Sequence, residues 1–103
     1  MSRIEQIGEF LKASPNDSFL KHALALEYIK LGDDERARQL FEDLLTYEPG
    51  YVGSYYHLAK LFERLNENEK AIEWYEKGML VAKEKGEQHA LGELRGALEE
   101  LTF

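Results

Sequence analysis

The chain has 103 residues, 44% of them apolar and 32% charged, which suits one domain with a modest core. It has no cysteine, which excludes a disulfide framework and thiolate zinc sites, and no apolar run long enough to span a membrane. The net charge of −7 is evenly spread, with six Lys/Arg against ten Asp/Glu in residues 1–49 and seven against ten in residues 50–103, which argues against binding nucleic acid through global electrostatics.

Residues 1–7 alternate polar and apolar side chains and form no signal-peptide core, so a reducing cytoplasm is the expected compartment. A first helix is predicted over 3–13, with Ile7, Phe10 and Leu11 covering apolar surface and Glu5, Gln6, Glu9 and Lys12 on its other face. A second helix is predicted over 17–31. Asn16 or Asp17 would cap it after Pro15, and Leu20, Leu24, Tyr28 and Leu31 keep helical spacing. Gly32-Asp33-Asp34 ends that helix and caps a third over 34–47, whose apolar stripe is Ala37, Leu40, Phe41, Leu44 and Leu45. Pro49-Gly50 stops it. Further helices are predicted over 51–65, 68–85 and 88–101, with Asn66-Glu67-Asn68 at the turn between the first two.

The chain repeats itself at a shift of 34 residues. Leu24-Ala25 returns as Leu58-Ala59, Tyr28 as Phe62, Glu35-Arg36-Ala37 as Glu69-Lys70-Ala71, and Phe41-Glu42 as Tyr75-Glu76. Residues 3–15 align with 37–49, and His89-Ala90-Leu91-Gly92 echoes His22-Ala23-Leu24-Ala25. The organisation read from this is a single domain over 1–103. It comprises a half-repeat helix at 3–15, repeats at 16–50 and 51–86, and a C-terminal capping helix at 87–103.

These matches resemble the tetratricopeptide repeat family, whose pattern is W-x2-L-G-x2-Y, then A-x3-F, then P. The first unit supplies Leu24, Ala25, Tyr28, Ala37, Phe41 and Pro49, with Lys21 in place of Trp. The second supplies Tyr55, Leu58, Ala59, Phe62, Ala71 and Tyr75, with Lys83 in place of Pro, so its second helix should run on towards Gly86. The chain also resembles short stand-alone bacterial proteins of this type. The resemblance implies an all-α fold of about six helices, in which antiparallel helix-turn-helix repeats stack in a right-handed superhelix.

It also implies a concave groove for a peptide or helix of a partner protein. The first helix of each unit would line it, with Phe19, His22, Leu26 and Ile29 from the first unit. The second would offer Gly53, Tyr56, His57, Lys60 and Glu63 or Arg64, and His89 and Glu93 would follow. Some relatives clamp the carboxylate of chaperone tails with lysine, asparagine and arginine. The corresponding points here are His22 and Leu26, then His57, then no basic pair, so that function is not expected.

No nucleophile–base arrangement and no phosphate-cradling glycine motif occurs, so neither an enzyme nor a cofactor is expected. Ser2, Ser14, Ser18 and Ser54 fall at the terminus or near helix starts and should act as caps. The three histidines fall on different helices, whose axes pack about 8–10 Å apart, so no metal site is expected. Tyr55 should be core, and Tyr47 and Tyr51 should pack across the Pro49-Gly50 turn. The expected partner is a protein or peptide, with no nucleic acid and no membrane. The chain is read as a monomer that binds through its groove. The alternative is a self-associating structural or assembly element, for instance a weak homodimer, that uses a convex or end face.

Overall fold

The computed structural model describes all 103 residues and is all-α. Six helices follow one another: α1 (Arg3–Ala13), α2 (Ser18–Lys30), α3 (Asp34–Tyr47), α4 (Gly53–Arg64), α5 (Asn68–Glu84) and α6 (Gln88–Thr102). They form two compact units, Met1–Glu48 and Pro49–Phe103. No helix is long and apolar enough to cross a membrane.

Local chemistry sets the helix limits. Ser2 and Glu5 form a reciprocal capping box at α1. Asp17 caps α2 by accepting from the Leu20 N–H at 3.0 Å, and Asp33 caps α3 by accepting from the Arg36 N–H at 3.2 Å. Three helices end in the same way. After α2, the Asp33 N–H reaches the Tyr28 carbonyl and the Gly32 N–H reaches Ile29. Glu67 and Asn66 repeat these bonds to Phe62 and Glu63, and Glu87 and Gly86 repeat them to Ala82 and Lys83. This pairing satisfies the last carbonyls of a helix and requires one left-handed residue. Gly32, Asn66 and Gly86 supply it, with φ of 78°, 61° and 72°. With Lys83 in place of proline, α5 runs to Glu84 and is the longest helix, at 17 residues.

In the first unit α2 packs on both α1 and α3. Ile7, Leu24, Ala25, Ala37, Phe41, Leu44 and Leu45 are buried. The Ser18 hydroxyl donates to Glu48 at 2.8 Å and ties the start of α2 to the residue that follows α3. In the second unit α5 packs on α4 and α6, and α4 also touches α6. Its core holds Tyr55, Leu58, Ala59, Leu61, Phe62, Ala71, Tyr75, Ala82, Leu91 and Leu94. The Tyr55 hydroxyl donates to the Pro49 carbonyl at 2.6 Å, and the Lys85 ammonium donates to the Gly50 carbonyl at 2.7 Å.

Several expectations fail, each for a local reason. Phe10 is 63% exposed and covers little, because α1 is packed by α2 on one side and Phe10 lies off that side; Ile7 is the buried residue of α1. Leu31 is 69% exposed, because it is the cap residue just past the end of α2, beside the turn at Gly32. Tyr47 is exposed, and its ring receives the Lys21 ammonium at 5.8 Å rather than packing across the turn. Ser2 alone of the four serines caps a helix start with its side chain. Ser14 lies at the end of α1, Ser54 is buried within α4, and the Ser18 hydroxyl is taken by Glu48.

Ala25 and Ala59 occupy equivalent points of α2 and α4, and both are fully buried. Replacing either with leucine is expected to overpack the helix contact and cost about 1–3 kcal/mol. Urea denaturation of the two variants checks this. Midpoints equal to wild type in both would mean that the repeat register is misplaced.

Candidate functional site

The expected groove residues divide between the two units. In the first, α2 carries all four. Phe19 is 67% exposed, and His22, Leu26 and Ile29 are half-buried. The His22 ring stands edge-on to the buried Phe41 ring, with centroids 5.5 Å apart and planes at 68°. That contact gives His22 a packing role. Leu26 and Ile29 retain part of their apolar area at the surface.

In the second unit, α4 carries Tyr56, His57, Lys60 and Arg64. The first three are half-buried and Arg64 is exposed. Tyr56 is the centre of the group. Its ring lies edge-on to His57 at 5.6 Å and to the buried Tyr75 at 6.3 Å. The Lys60 ammonium lies 5.6 Å from the same ring and 3.5 Å from Glu63. Glu63 in turn accepts a hydrogen bond from the Tyr75 hydroxyl. Burial, with that bond second, raises the Tyr75 phenol well above its ordinary value, because both favour the neutral hydroxyl.

Beside this face, α6 leaves an open cleft of about 200 Å³. Tyr56 and Lys60 form one wall, and Gly92, Glu93, Gly96, Ala97 and Glu100 form the other. Glu93 lies 3.4 Å from His89, which is charged only when protonated. Of the α6 residues in this wall, sequence reasoning named only Glu93. The available signal was the pair Gly92 and Gly96, two glycines one turn apart inside a predicted helix. No three His, Asp or Glu side chains converge as a metal site would require.

Burial also pushes the His57 imidazole below its ordinary value. Glu93 pulls it up, and Arg64 pushes it further down. The sign of the pH dependence follows. Below about pH 6.5 the unfolded chain protonates this histidine while the folded chain resists. The His57 contribution to stability is therefore complete above that value and is lost as pH falls through the lower folded-state value. Urea midpoints measured between pH 8 and pH 5 should fall with acidification, and His57→Gln should flatten the fall. An equal slope in both proteins would assign the effect to other groups.

The model of the family described as tetratricopeptide repeat matches residues 28–94. The chain belongs to the tetratricopeptide repeat family. The crystal structure of a tetratricopeptide repeat domain protein from Salinibacter ruber is 45% identical in sequence. The match covers 84% of this chain and 96% of that one, with a TM-score of 0.80. A solution structure of a tetratricopeptide repeat domain protein from the same organism is 46% identical, covering 84% and 88%, at 0.81. A protein of Bordetella parapertussis, at 20% identity, covers 99% and 89% with a TM-score of 0.86 and shows the shared fold alone. No curated protein matches the sequence. Tetratricopeptide repeat proteins are in general scaffolds that bind other proteins, and the fold suggests a protein-interaction module in that general sense.

Proposed function

We propose that this tetratricopeptide repeat chain binds a peptide or helix of a partner protein on the faces of the first helix of each repeat. On α2 that face is Phe19, His22, Leu26 and Ile29. On α4 it is Tyr56, His57, Lys60 and Arg64. The observation that carries the proposal is the open cleft beside Tyr56, where a half-buried aromatic ring and a cation line a space of about 200 Å³. Pockets that join apolar area to a few convergent polar groups are the usual form of a recognition site. The repeat bounds 3–15, 16–50, 51–86 and 87–103 belong to the same proposal, and the cysteine-free composition suits a reducing cytoplasm.

The test uses peptides retained by the full chain from a random displayed library, with binding followed by fluorescence anisotropy. Leu26→Glu combined with Tyr56→Ala should abolish binding while circular dichroism stays helical. Glu69→Ala, in the first turn of α5, should leave binding intact. A groove variant that binds with wild-type affinity would sink the proposal. Self-association is favoured by a separate observation, since Phe10 and Leu80 are large apolar side chains left largely in solvent. It predicts a molar mass that rises with concentration and falls to that of a monomer on Phe10→Ser with Leu80→Ser.

A further inference from the structure

Two positions of α6 give up helical stability without a packing return inside their own unit. A mid-helix glycine costs about 0.5–1 kcal/mol relative to alanine, and α6 carries Gly92 and Gly96 one turn apart. Neither is forced by sterics, since a Cβ on either would meet nothing within 4 Å. Ala25, which Gly92 echoes in sequence, is fully buried, whereas Gly92 is exposed. The two missing side chains instead keep open the cleft between α6 and the Tyr56 ring.

Charge decides what fits there. Lys60 is the basic side chain lining the cleft, and Glu63 and the Tyr56 face engage it. The sign of the cleft is then set by Glu93 and Glu100. Both carboxylates line the cleft, and their fields extend beyond it, Glu93 acting on the His57 imidazole of α4 and Glu100 on the Tyr75 phenol of α5. The two carboxylates sit seven residues apart, about 10 Å along the helix. One guanidinium or ammonium does not bridge that distance, but a short segment with more than one basic residue does.

We propose that the α4–α6 cleft takes a basic peptide segment of a partner protein. Its lysine or arginine side chains pair with Glu93 and Glu100, and its backbone passes over Gly92 and Gly96. The proposal rests on the peptide-binding function above and names the chemistry of the partner.

The experiment selects short random peptides on the full chain and measures the affinity of those retained. The peptides should be enriched in Lys and Arg relative to the library. Glu93→Gln with Glu100→Gln should weaken them about tenfold or more, the scale of a lost charge-assisted bond. Glu73→Gln with Glu76→Gln removes the same charge from exposed positions of α5 and should leave affinity unchanged. Equal weakening by both pairs would show attraction to the net negative charge alone and overturn the proposal. So would neutral or acidic consensus peptides, or basic peptides indifferent to the Glu93 and Glu100 changes. In those cases, loss of binding on Leu26→Glu with Tyr56→Ala still leaves the peptide-binding function standing. A library from which nothing is retained overturns both.

Discussion

Tyr75→Ala is expected to destabilise the chain by about 3–5 kcal/mol, the cost of emptying a buried aromatic site. Domains of this size are stable by about 5–15 kcal/mol in total, so the variant should be largely unfolded under mild urea. Tyr75 is the largest fully buried side chain, and the Tyr56 ring packs on it from α4. Tyr75→Phe keeps that packing and removes only the hydroxyl bond to Glu63, whose carboxylate reaches water. It should cost about 1 kcal/mol. The pair separates packing from polarity. If both variants lose the same stability in urea at neutral pH, the hydrogen bond and not the ring holds α5 to α4.

The same residue predicts an alkaline limb. The folded phenol is raised above its ordinary value near 10. Above that pH the unfolded chain releases the proton first, so the contribution is complete below about 10 and is lost as pH rises towards the folded-state value. Tyr55 is raised as well, by burial, and shares the effect. Tyr75→Phe should make the alkaline loss of stability shallower without removing it. A limb unchanged by Tyr75→Phe would assign it to other groups.

Much of this architecture was legible because the residues that fix it act locally. The left-handed turn at Gly32 returns 34 residues later at Asn66, and Asp17 and Asp33 begin their helices with bonds to residues three positions on. Such signals need no knowledge of the rest of the chain. Phe10 was misread because its alignment with Leu44 carries over the residue class but not the neighbours. Leu44 is enclosed by the hairpin of α2 and α3, whereas α1 packs chiefly on α2. The cleft was only half legible for the same reason. Tyr56 and Lys60 could be placed on a helix face, but whether Gly92 meets a helix or solvent depends on what lies beside α6. Ala25, its counterpart in the echoed His22-Ala23-Leu24-Ala25, pointed to burial.

The largest effect hidden from the sequence is expected at Gly78. This residue is buried in the middle of α5, and a Cβ there would meet Tyr55 Cβ at 2.6 Å, Tyr55 Cγ at 3.1 Å and Leu94 Cδ1 at 3.1 Å. The Leu94 methyl can turn aside. The Tyr55 Cβ is fixed to the α4 backbone and cannot, so relief requires the helices to part. The repeat explains why glycine stands there. At a shift of 34, Tyr55 corresponds to Lys21 and Gly78 to Leu44. In the first unit the Lys21 side chain runs out to the Tyr47 ring, and Leu44 fills the core. In the second unit Tyr55 fills that space, and glycine makes room for it. Gly78→Leu should therefore cost about 3 kcal/mol or more, at the top of the overpacking range. Gly78→Ala should also destabilise, even though alanine gains about 1 kcal/mol in helix propensity. Gly92→Ala meets no atom within 4 Å and should keep that gain, raising the melting temperature. Thermal melts of the three variants decide the matter. Gly78→Ala and Gly92→Ala moving in the same direction would mean that α5 does not rest its backbone on Tyr55.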